Sequence, residues 1–382
     1  MFFRWLWKKY IYLPTIKWAI NKNFYLCIEK NEPKMQTKIL HIIIPIIAAL
    51  SILAASCGSR SDIPVPDPQI SAYWWKTTWN PDSAEVDFIN KLKIKKIYMR
   101  FFDVAPDGNS NVPKPKATIQ FQQPIIQGVK IIPTIFITES CMALDIDKLP
   151  KMLAYRVLQM CETNDIKGVD EIQIDCDWKQ SSQEKYFQFL DDIRKILKDK
   201  NIRLSATIRF HQLRMTPPPV DYGVLMAYNT GNISHPPTCN PVLSFRHAEP
   251  YLKLLTDYDL PLCAAYPNFS YQLLYNDNQL RAILYNEDIA DSTKYRHTND
   301  NEYESTTSRL IVNTPEPGSS LTQIKYGDKL LIYKAEYNEI STTKQTIDHL
   351  RPSMKAQSII YDINSRNINN LTKEQYEKIL HH

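Results

Sequence analysis

The feature that most constrains the fold of this chain is a repeated alternation of strand-like and helix-like runs. Runs rich in apolar and β-branched residues predict eight strands, at 71–79, 96–104, 129–138, 169–178, 202–211, 222–229, 261–269 and 357–363. Helical spacing predicts helices between several of them, at 83–92, 147–162, 183–198, 247–258 and 372–380. Such alternation implies parallel strands joined by crossovers, and eight strands predict an α/β fold, the (β/α)8 TIM barrel.

The rival architecture is an open, doubly wound sheet, which needs a glycine-rich turn to hold a phosphate. No such turn is present, and the whole chain contains only 8 glycines. Residues 277–356 do not follow the alternation, because polar stretches surround two short strand candidates at 308–312 and 329–337. They predict a small α+β insertion between strands seven and eight of the barrel.

The N-terminal part of the chain reads as a targeting segment. Lys38 precedes an apolar run at 39–53, and Ala54-Ala55-Ser56-Cys57 follows it. A charged start, an apolar stretch and small residues are the three parts of a signal peptide, and the run is short for a membrane-spanning helix. The small-small-Cys ending resembles the bacterial lipobox, which implies lipid attachment at Cys57. An ordinary signal peptide or an uncleaved anchor remains the alternative.

These patterns give the expected domain organisation. Residues 1–34 lie upstream of a complete signal, so we expect translation to start at Met35 and treat them as an extension outside the fold. Residues 35–56 are the expected signal peptide, 57–69 a tether and 70–382 the barrel with its insertion. The expected location is the cell envelope, with a lipid anchor in a bacterial membrane, the outer membrane.

The charge balance argues against a nucleic-acid partner. The chain has 46 basic and 41 acidic residues, of which residues 1–56 contain 8 and 2. The remainder is therefore close to neutral and lacks the basic surface that nucleic acid requires. No Cys/His cluster has zinc-ligand spacing, and we expect neither a metal nor a cofactor.

Strand four carries the strongest candidate for chemistry. Side chains alternate along a strand, so Gln173, Asp175 and Asp177 share one face, which we place inside the barrel. Carboxylates inside a barrel are costly unless they are paired or hydrated. In TIM barrels the carboxyl ends of strands carry the active site, so two acids there predict a functional site. The alternative is structural, with one Asp in a salt bridge and the other capping the next turn.

The same strand resembles the signature of family 18 glycoside hydrolases, the chitinase-like enzymes, or of a related glycosidase-like family of bacterial lipoproteins. The family signature is Asp-x-x-Asp-x-Asp-x-Glu, and its register here gives Asp170, Gln173, Asp175 and Asp177. Asp170 and Asp175 match. Gln173 replaces an Asp, and Asp177 replaces the catalytic Glu.

A second match lies in strand six, where the family carries Met-x-Tyr-Asp/Asn and residues 226–229 read Met-Ala-Tyr-Asn. The resemblance implies substrate-assisted hydrolysis, in which Asp177 is the general acid and Asp175 orients the acetamido group of the sugar. It implies that Tyr228 hydrogen-bonds that group and that Gln173 and Asn229 contact the substrate. Because Asp is one methylene shorter than Glu, its carboxyl has to reach about 1 Å further, and such misplacement can cost ~10²-fold in rate.

Aromatic and basic residues near the strand ends complete the predicted site. Sugars stack on aromatic faces, so Trp74, Trp75 and Trp178 are candidate substrate contacts, with the barrel core as the alternative location. Arg209 and His211, at the end of strand five, are further candidates for the cleft wall.

Two functions compete. The first is a lipid-anchored glycoside hydrolase that cleaves a glycan by acid-assisted hydrolysis, and the alternative is a non-catalytic glycan-binding lipoprotein on the same barrel. A metal-dependent barrel hydrolase is disfavoured, because no His-x-His motif follows strand one. The expected partners are a glycan and, through Cys57, a membrane.

Overall fold

The computed structural model describes residues 63–108, 112–285, 287–313 and 321–381. The predicted extension, the signal peptide and Cys57 lie outside these residues, as does the first part of the tether, residues 57–62. None of the helices in the described part of the chain is long and apolar enough to span a bilayer.

Eight parallel strands close into a barrel, which confirms the predicted TIM-barrel fold. The first strand pairs with both the second and the eighth, through Ser71 opposite Lys96 and Ser71 opposite Ile359. Each remaining strand pairs with its neighbours in chain order, so the eight strands form a closed ring. The strands are β1 Ser71–Trp74, β2 Lys96–Ala105, β3 Lys130–Ile137, β4 Glu171–Asp175, β5 Arg203–Ile208, β6 Tyr222–Met226, β7 Leu262–Pro267 and β8 Ser358–Tyr361.

Helices surround the barrel, and their ends follow local sequence signals. The first begins with a capping box in which Asp82 accepts from the backbone N–H of Glu85 at 2.9 Å. The third has an apolar stripe with helical spacing, which it buries against the sheet. The helices are α1 Ser83–Lys91, α2 Leu149–Thr163, α3 Gln183–Lys198, α4 Phe245–Leu252, α5 Tyr337–Leu350 and α6 Lys373–Leu380.

Two crossovers contain no α-helix in their described residues. Between β2 and β3 the chain forms short strands, Lys114–Lys116 and Gln120–Phe121, and the latter pairs with Thr78–Trp79. Between β5 and β6 it forms a 3-10 helix, Phe210–Arg214. Residues 217–219 are three successive prolines, which lack backbone N–H donors and cannot continue a helix. Further 3-10 helices are Glu139–Ala143 and Pro352–Ala356.

The amino end of the barrel is closed by buried polar groups. Lys96 Nζ lies 4.0 Å from Glu171 Oε2, and both side chains are fully buried. Ser205 donates to Glu171 Oε1 at 2.6 Å, and burial raises the pKa of Glu171 while the charge of Lys96 opposes this. Asp170, which matches the first position of the family signature, lies at the same end. It forms ion pairs of 2.7 Å with Lys130 and Arg203, so its role is structural.

A lobe between β7 and β8 covers one side of the opposite, carboxyl end. Its antiparallel sheet begins at Ser270, before the predicted boundary at 277, and a separate two-stranded sheet accompanies it. Helix α5, inside the predicted insertion, packs against α4 and so belongs to the outer layer of the barrel. The five-stranded sheet has the order Gln279–Leu284, Ser270–Asn276, Lys329–Lys334, Glu302–Ser305 and Tyr295–Asn299, and the two-stranded sheet pairs Arg309–Val312 with Leu321–Ile324.

Candidate active site

A cavity of about 950 Å³ opens between the carboxyl ends of the barrel strands and the lobe; we call it the cleft. The barrel contributes residues at or just after the carboxyl ends of its strands, and the lobe contributes residues from 270 to 288. Charged side chains line much of it: Lys76, Arg100, Asp103, Asp175, Asp177, Arg209, Glu287, Asp288, Asp362 and Arg366.

Aromatic rings form one wall of the cleft. The ring of Tyr361, at the end of β8, lies 5.0 Å from that of Tyr228 and 5.8 Å from that of Trp75, measured between centroids. Phe269 packs edge-on against Tyr228 at 5.6 Å. Tyr285 of the lobe faces this cluster and is 44% exposed. The cleft therefore presents ring faces and polar groups side by side.

Along β4 and just after it, successive inward-facing side chains lie closer to the mouth of the cleft. Gln173 is fully buried, and its Oε1 accepts from the Tyr73 hydroxyl at 2.8 Å, below the cleft. The Asp175 carboxyl is buried and accepts from Thr207 Oγ1 at 2.5 Å. The Asp177 side chain is 55% exposed at the top. The structure thus places the two acids, but not Gln173, on the cleft.

Arg209 joins the two acids. It leaves β5 with an extended backbone, and its Nη2 donates to Asp175 Oδ1 at 2.9 Å while its Nε donates to Asp177 Oδ1. Burial raises the pKa of Asp175, and the Arg209 charge and the Thr207 hydrogen bond oppose that rise. Burial would lower the pKa of Arg209, but the two carboxylates reverse this and raise it above its ordinary value. A single guanidinium thus compensates a buried and an exposed carboxylate.

The strand-six residues also reach the cleft. Tyr228 is 6% exposed, its hydroxyl donates to Met226 Sδ at 3.5 Å, and burial raises its pKa despite the nearby Arg209 charge. Asn229 has a positive φ of 57° and accepts from the Tyr271 hydroxyl at 2.7 Å, which ties the barrel to the lobe. His211 is exposed on a smaller adjoining cavity of about 310 Å³, which shares Asp177, Arg209, Tyr228 and Asn229 with the cleft.

The three candidate tryptophans lie in different environments. Trp75 lines the cleft, where the Arg100 guanidinium lies 5.7 Å from its ring. Trp74 is fully buried outside the cleft, packs on Trp79 at 4.5 Å and donates to the carbonyl of Thr78. Trp178 is fully buried and stacks on Tyr186 at 5.9 Å. Trp74 and Trp178 therefore belong to the core, since neither reaches the cavity where a ligand would bind.

Several residues on the cleft were not predicted. Tyr361 and Asp362 end the eighth predicted strand, and their position at its carboxyl end was the signal that could have found them. Burial raises the pKa of Asp362 to about 6, although a hydrogen bond from Asn367 opposes the rise. The lobe residues Tyr271 and Tyr285 had no comparable signal, because nothing in their local sequence shows that the lobe folds over the barrel mouth.

No group of three or more His, Cys, Asp or Glu side chains in residues 63–381, the masked gaps aside, is arranged to hold a metal ion.

No protein-family model and no curated protein matches the chain. Among solved structures, the chain is similar to the spore cortex-lytic enzyme SleL of Bacillus cereus, with 13% identity, a TM-score of 0.46, and coverage of 82% of this chain and 74% of that one. It is similar to a chitinase from Chromobacterium violaceum, with 9% identity, a TM-score of 0.49, and coverage of 82% and 98%. It is also similar to a class V chitinase from Pseudomonas fluorescens, with 12% identity, a TM-score of 0.48, and coverage of 80% and 98%. These are similarities of fold between chains that share little sequence.

Proposed function

We propose that this chain binds a glycan in the cleft at the carboxyl end of its barrel. The observation that carries the proposal is the composition of the cleft, where the rings of Trp75, Tyr361 and Tyr285 stand beside carboxyl, guanidinium and amide groups. A sugar has an apolar face of C–H groups and a rim of hydroxyls. A cavity that combines aromatic faces with a few polar groups matches both.

Hydrolysis with Asp177 as the general acid is the second candidate, and it rests on the resemblance in β4. The contact with Arg209 argues against that role. A carboxylate that is ion-paired with a guanidinium has to give up that ion pair before it can carry a proton to a leaving group. Asp175 cannot replace it, because the same guanidinium holds it. Glycan binding is therefore the function that the β4 geometry supports best.

The proposal includes lipid attachment at Cys57 and a location in the cell envelope, at the outer membrane. Its support is the sequence of residues 35–57, which lie outside the described residues. Incorporation of a labelled fatty acid into the wild type, and its loss in Cys57→Ser, is the expected result. Equal labelling of both proteins would contradict the attachment site.

The binding proposal is tested by calorimetric titration of the purified protein with a panel of oligosaccharides. Tyr285→Ala removes an exposed ring from the cleft, and we expect about tenfold weaker binding, since an aromatic contact contributes ~0.5–1.5 kcal/mol.

Tyr155→Ala is the matched control, because Tyr155 is 69% exposed on α2, away from the cleft. Its affinity should equal that of the wild type. Absence of binding to any oligosaccharide, or equal losses in the two variants, would overturn the proposal.

A further inference from the structure

The carboxyl groups on the cleft differ in their partners. Six acidic residues line it, and four of them are ion-paired with arginines: Asp103 with Arg100, Asp175 and Asp177 with Arg209, and Glu287 with Arg309. Asp288 is exposed to solvent. Asp362 is only 6% exposed, and within the described part of the chain no cation lies within ion-pair distance of it.

Neutral groups hold Asp362 at the end of β8. Its Oδ1 accepts from Asn367 Nδ2 at 2.8 Å, and its backbone carbonyl accepts from Asn268 Nδ2 at 3.0 Å. These contacts fix the position of the carboxyl group without neutralising a negative charge on it. Its environment therefore differs from that of the ion-paired acids on β4.

The charged and titratable groups that face Asp362 come from several elements. Lys76 follows β1, but its ammonium contacts Glu85 at 2.6 Å. Arg366 follows β8, but its guanidinium lies over the Tyr285 ring at 5.5 Å. The phenols of Tyr228, Tyr361 and Tyr376 also face the carboxyl group, and burial keeps all three neutral by raising their pKa values. Both cations thus act on Asp362 from a distance.

We propose that Asp362 is the proton donor for glycosidic-bond hydrolysis in this cleft, in place of Asp177 at the end of β4. The inference rests on the proposed glycan-binding function. The Asp362 carboxyl transfers its proton to the glycosidic oxygen, and the bond from that oxygen to the anomeric carbon breaks, with the electron pair leaving on the oxygen. Water then bonds to the anomeric carbon, and the proton it loses returns to the Asp362 carboxylate, which completes the cycle.

The protonation behaviour of Asp362 supports this role. Burial raises its pKa to about 6, so the carboxyl keeps its proton in mildly acidic solution, where an ordinary surface aspartate has lost it. Catalytic acids in sugar-cleaving enzymes are carboxyls raised in this way, beside a second carboxylate that stays ionised. In this cleft, Asp177 is a second carboxyl group, ion-paired with Arg209.

The leaving group provides the sharpest test. Hydrolysis is measured for two series of glycosides that share a sugar: 2,4-dinitrophenyl glycosides, whose leaving group needs no proton, and oligosaccharides, whose leaving group does. Asp362→Asn should lose ~10²–10⁴-fold in kcat/KM on the oligosaccharide that the wild type cleaves, and far less on the dinitrophenyl glycoside. A residue with a merely structural role would lower both rates equally.

The pH profile is the second readout. The wild-type rate on the oligosaccharide should fall above about pH 6, as Asp362 loses its proton, and this limb should be absent from the residual oligosaccharide hydrolysis by Asp362→Asn. Asp257→Asn, an exposed carboxyl away from the cleft, is the matched control and should behave as the wild type.

The outcomes separate the two proposals. Equal losses on both substrates in Asp362→Asn, or the leaving-group pattern in Asp177→Asn instead, would overturn the assignment to Asp362. Glycan binding without hydrolysis of any substrate would also overturn it, while leaving the proposed binding function intact. Absence of both binding and hydrolysis would refute the binding function itself.

Discussion

At the scale of single residues, the placement of two acids on the cleft depends on Arg209, whose guanidinium is ion-paired with one buried and one exposed carboxylate. A buried carboxylate without a partner carries a large desolvation cost. Arg209→Met should therefore lower the free energy of unfolding at pH 7 by about 3–5 kcal/mol, as removing one member of a buried ion pair does. Urea denaturation measures this directly.

The same variant has a predictable pH dependence. Burial raises the pKa of Asp175, because it disfavours the charged form of this carboxyl group. Without the guanidinium, the folded protein therefore gains stability as the pH falls and Asp175 takes up a proton. The loss in Arg209→Met should consequently be smaller at pH 5 than at pH 7. Arg296→Met serves as the control, because Arg296 is 65% exposed in its ion pair with Glu304 and should cost less than about 1 kcal/mol. Losses of similar size in the two variants would contradict a special role for Arg209.

The sequence of β4 predicts where its two acids point but not which cation they contact. Alternation along a strand places Asp175 and Asp177 on one face, and both reach the cleft. Their shared partner Arg209 follows the next strand and was predicted for the cleft wall, but neither periodicity nor motif indicates that its guanidinium contacts both acids. The charge state of an acid depends on such a neighbour, so its chemical role could not be derived from the strand that carries it.

At the scale of elements, local sequence predicted much of the barrel. The strands and most helices lie close to their expected places, because apolar runs and amphipathic spacing report burial directly. Helix α3 has the predicted bounds, since its buried residues recur with helical spacing. The short strands of the lobe were harder to predict, because exposed antiparallel strands with polar faces carry a weak pattern.

The orientation of aromatic side chains was the other limit at this scale. Trp74 and Trp75 are neighbours in sequence, yet one is in the core and the other is on the cleft. Alternation predicts that they point to opposite sides, but it cannot say which side is which until the barrel closes. Trp178 follows β4 and turns towards α3, where it packs on Tyr186.

At the scale of the whole molecule, the cleft lies between the barrel and the lobe, which have separate apolar cores. The lobe has its own apolar cluster around Leu274, Leu330 and Tyr295, distinct from the core of the barrel. The barrel is sealed at its amino end by the buried pair of Lys96 and Glu171. In the described part of the chain, a ligand therefore reaches the barrel from the carboxyl end, where the cleft opens beside the lobe.

The two ends of the lobe lie side by side, which permits its removal. The backbone N–H of Ala335 donates to the carbonyl of Phe269 at 2.9 Å, so a short Gly-Ser linker can replace residues 270–334 without stretching the barrel. We expect the shortened protein to keep its barrel, as judged by far-ultraviolet circular dichroism and cooperative unfolding. It should bind the glycan more than tenfold more weakly, since it lacks the ring faces of Tyr271 and Tyr285.

The result decides how the cleft is built. A folded variant with wild-type affinity would show that the glycan contacts the barrel alone and that the lobe has another purpose. A variant that fails to fold would show that the barrel depends on the contacts which the lobe makes with it, such as the hydrogen bonds from Tyr271 to Asn229 and from Tyr275 to the carbonyl of Ile233. A folded variant with weakened binding would establish the lobe as one wall of the binding site. In that case the sugar spans both structures, because Tyr271 and Tyr285 of the lobe add to the rings and acids that the barrel supplies.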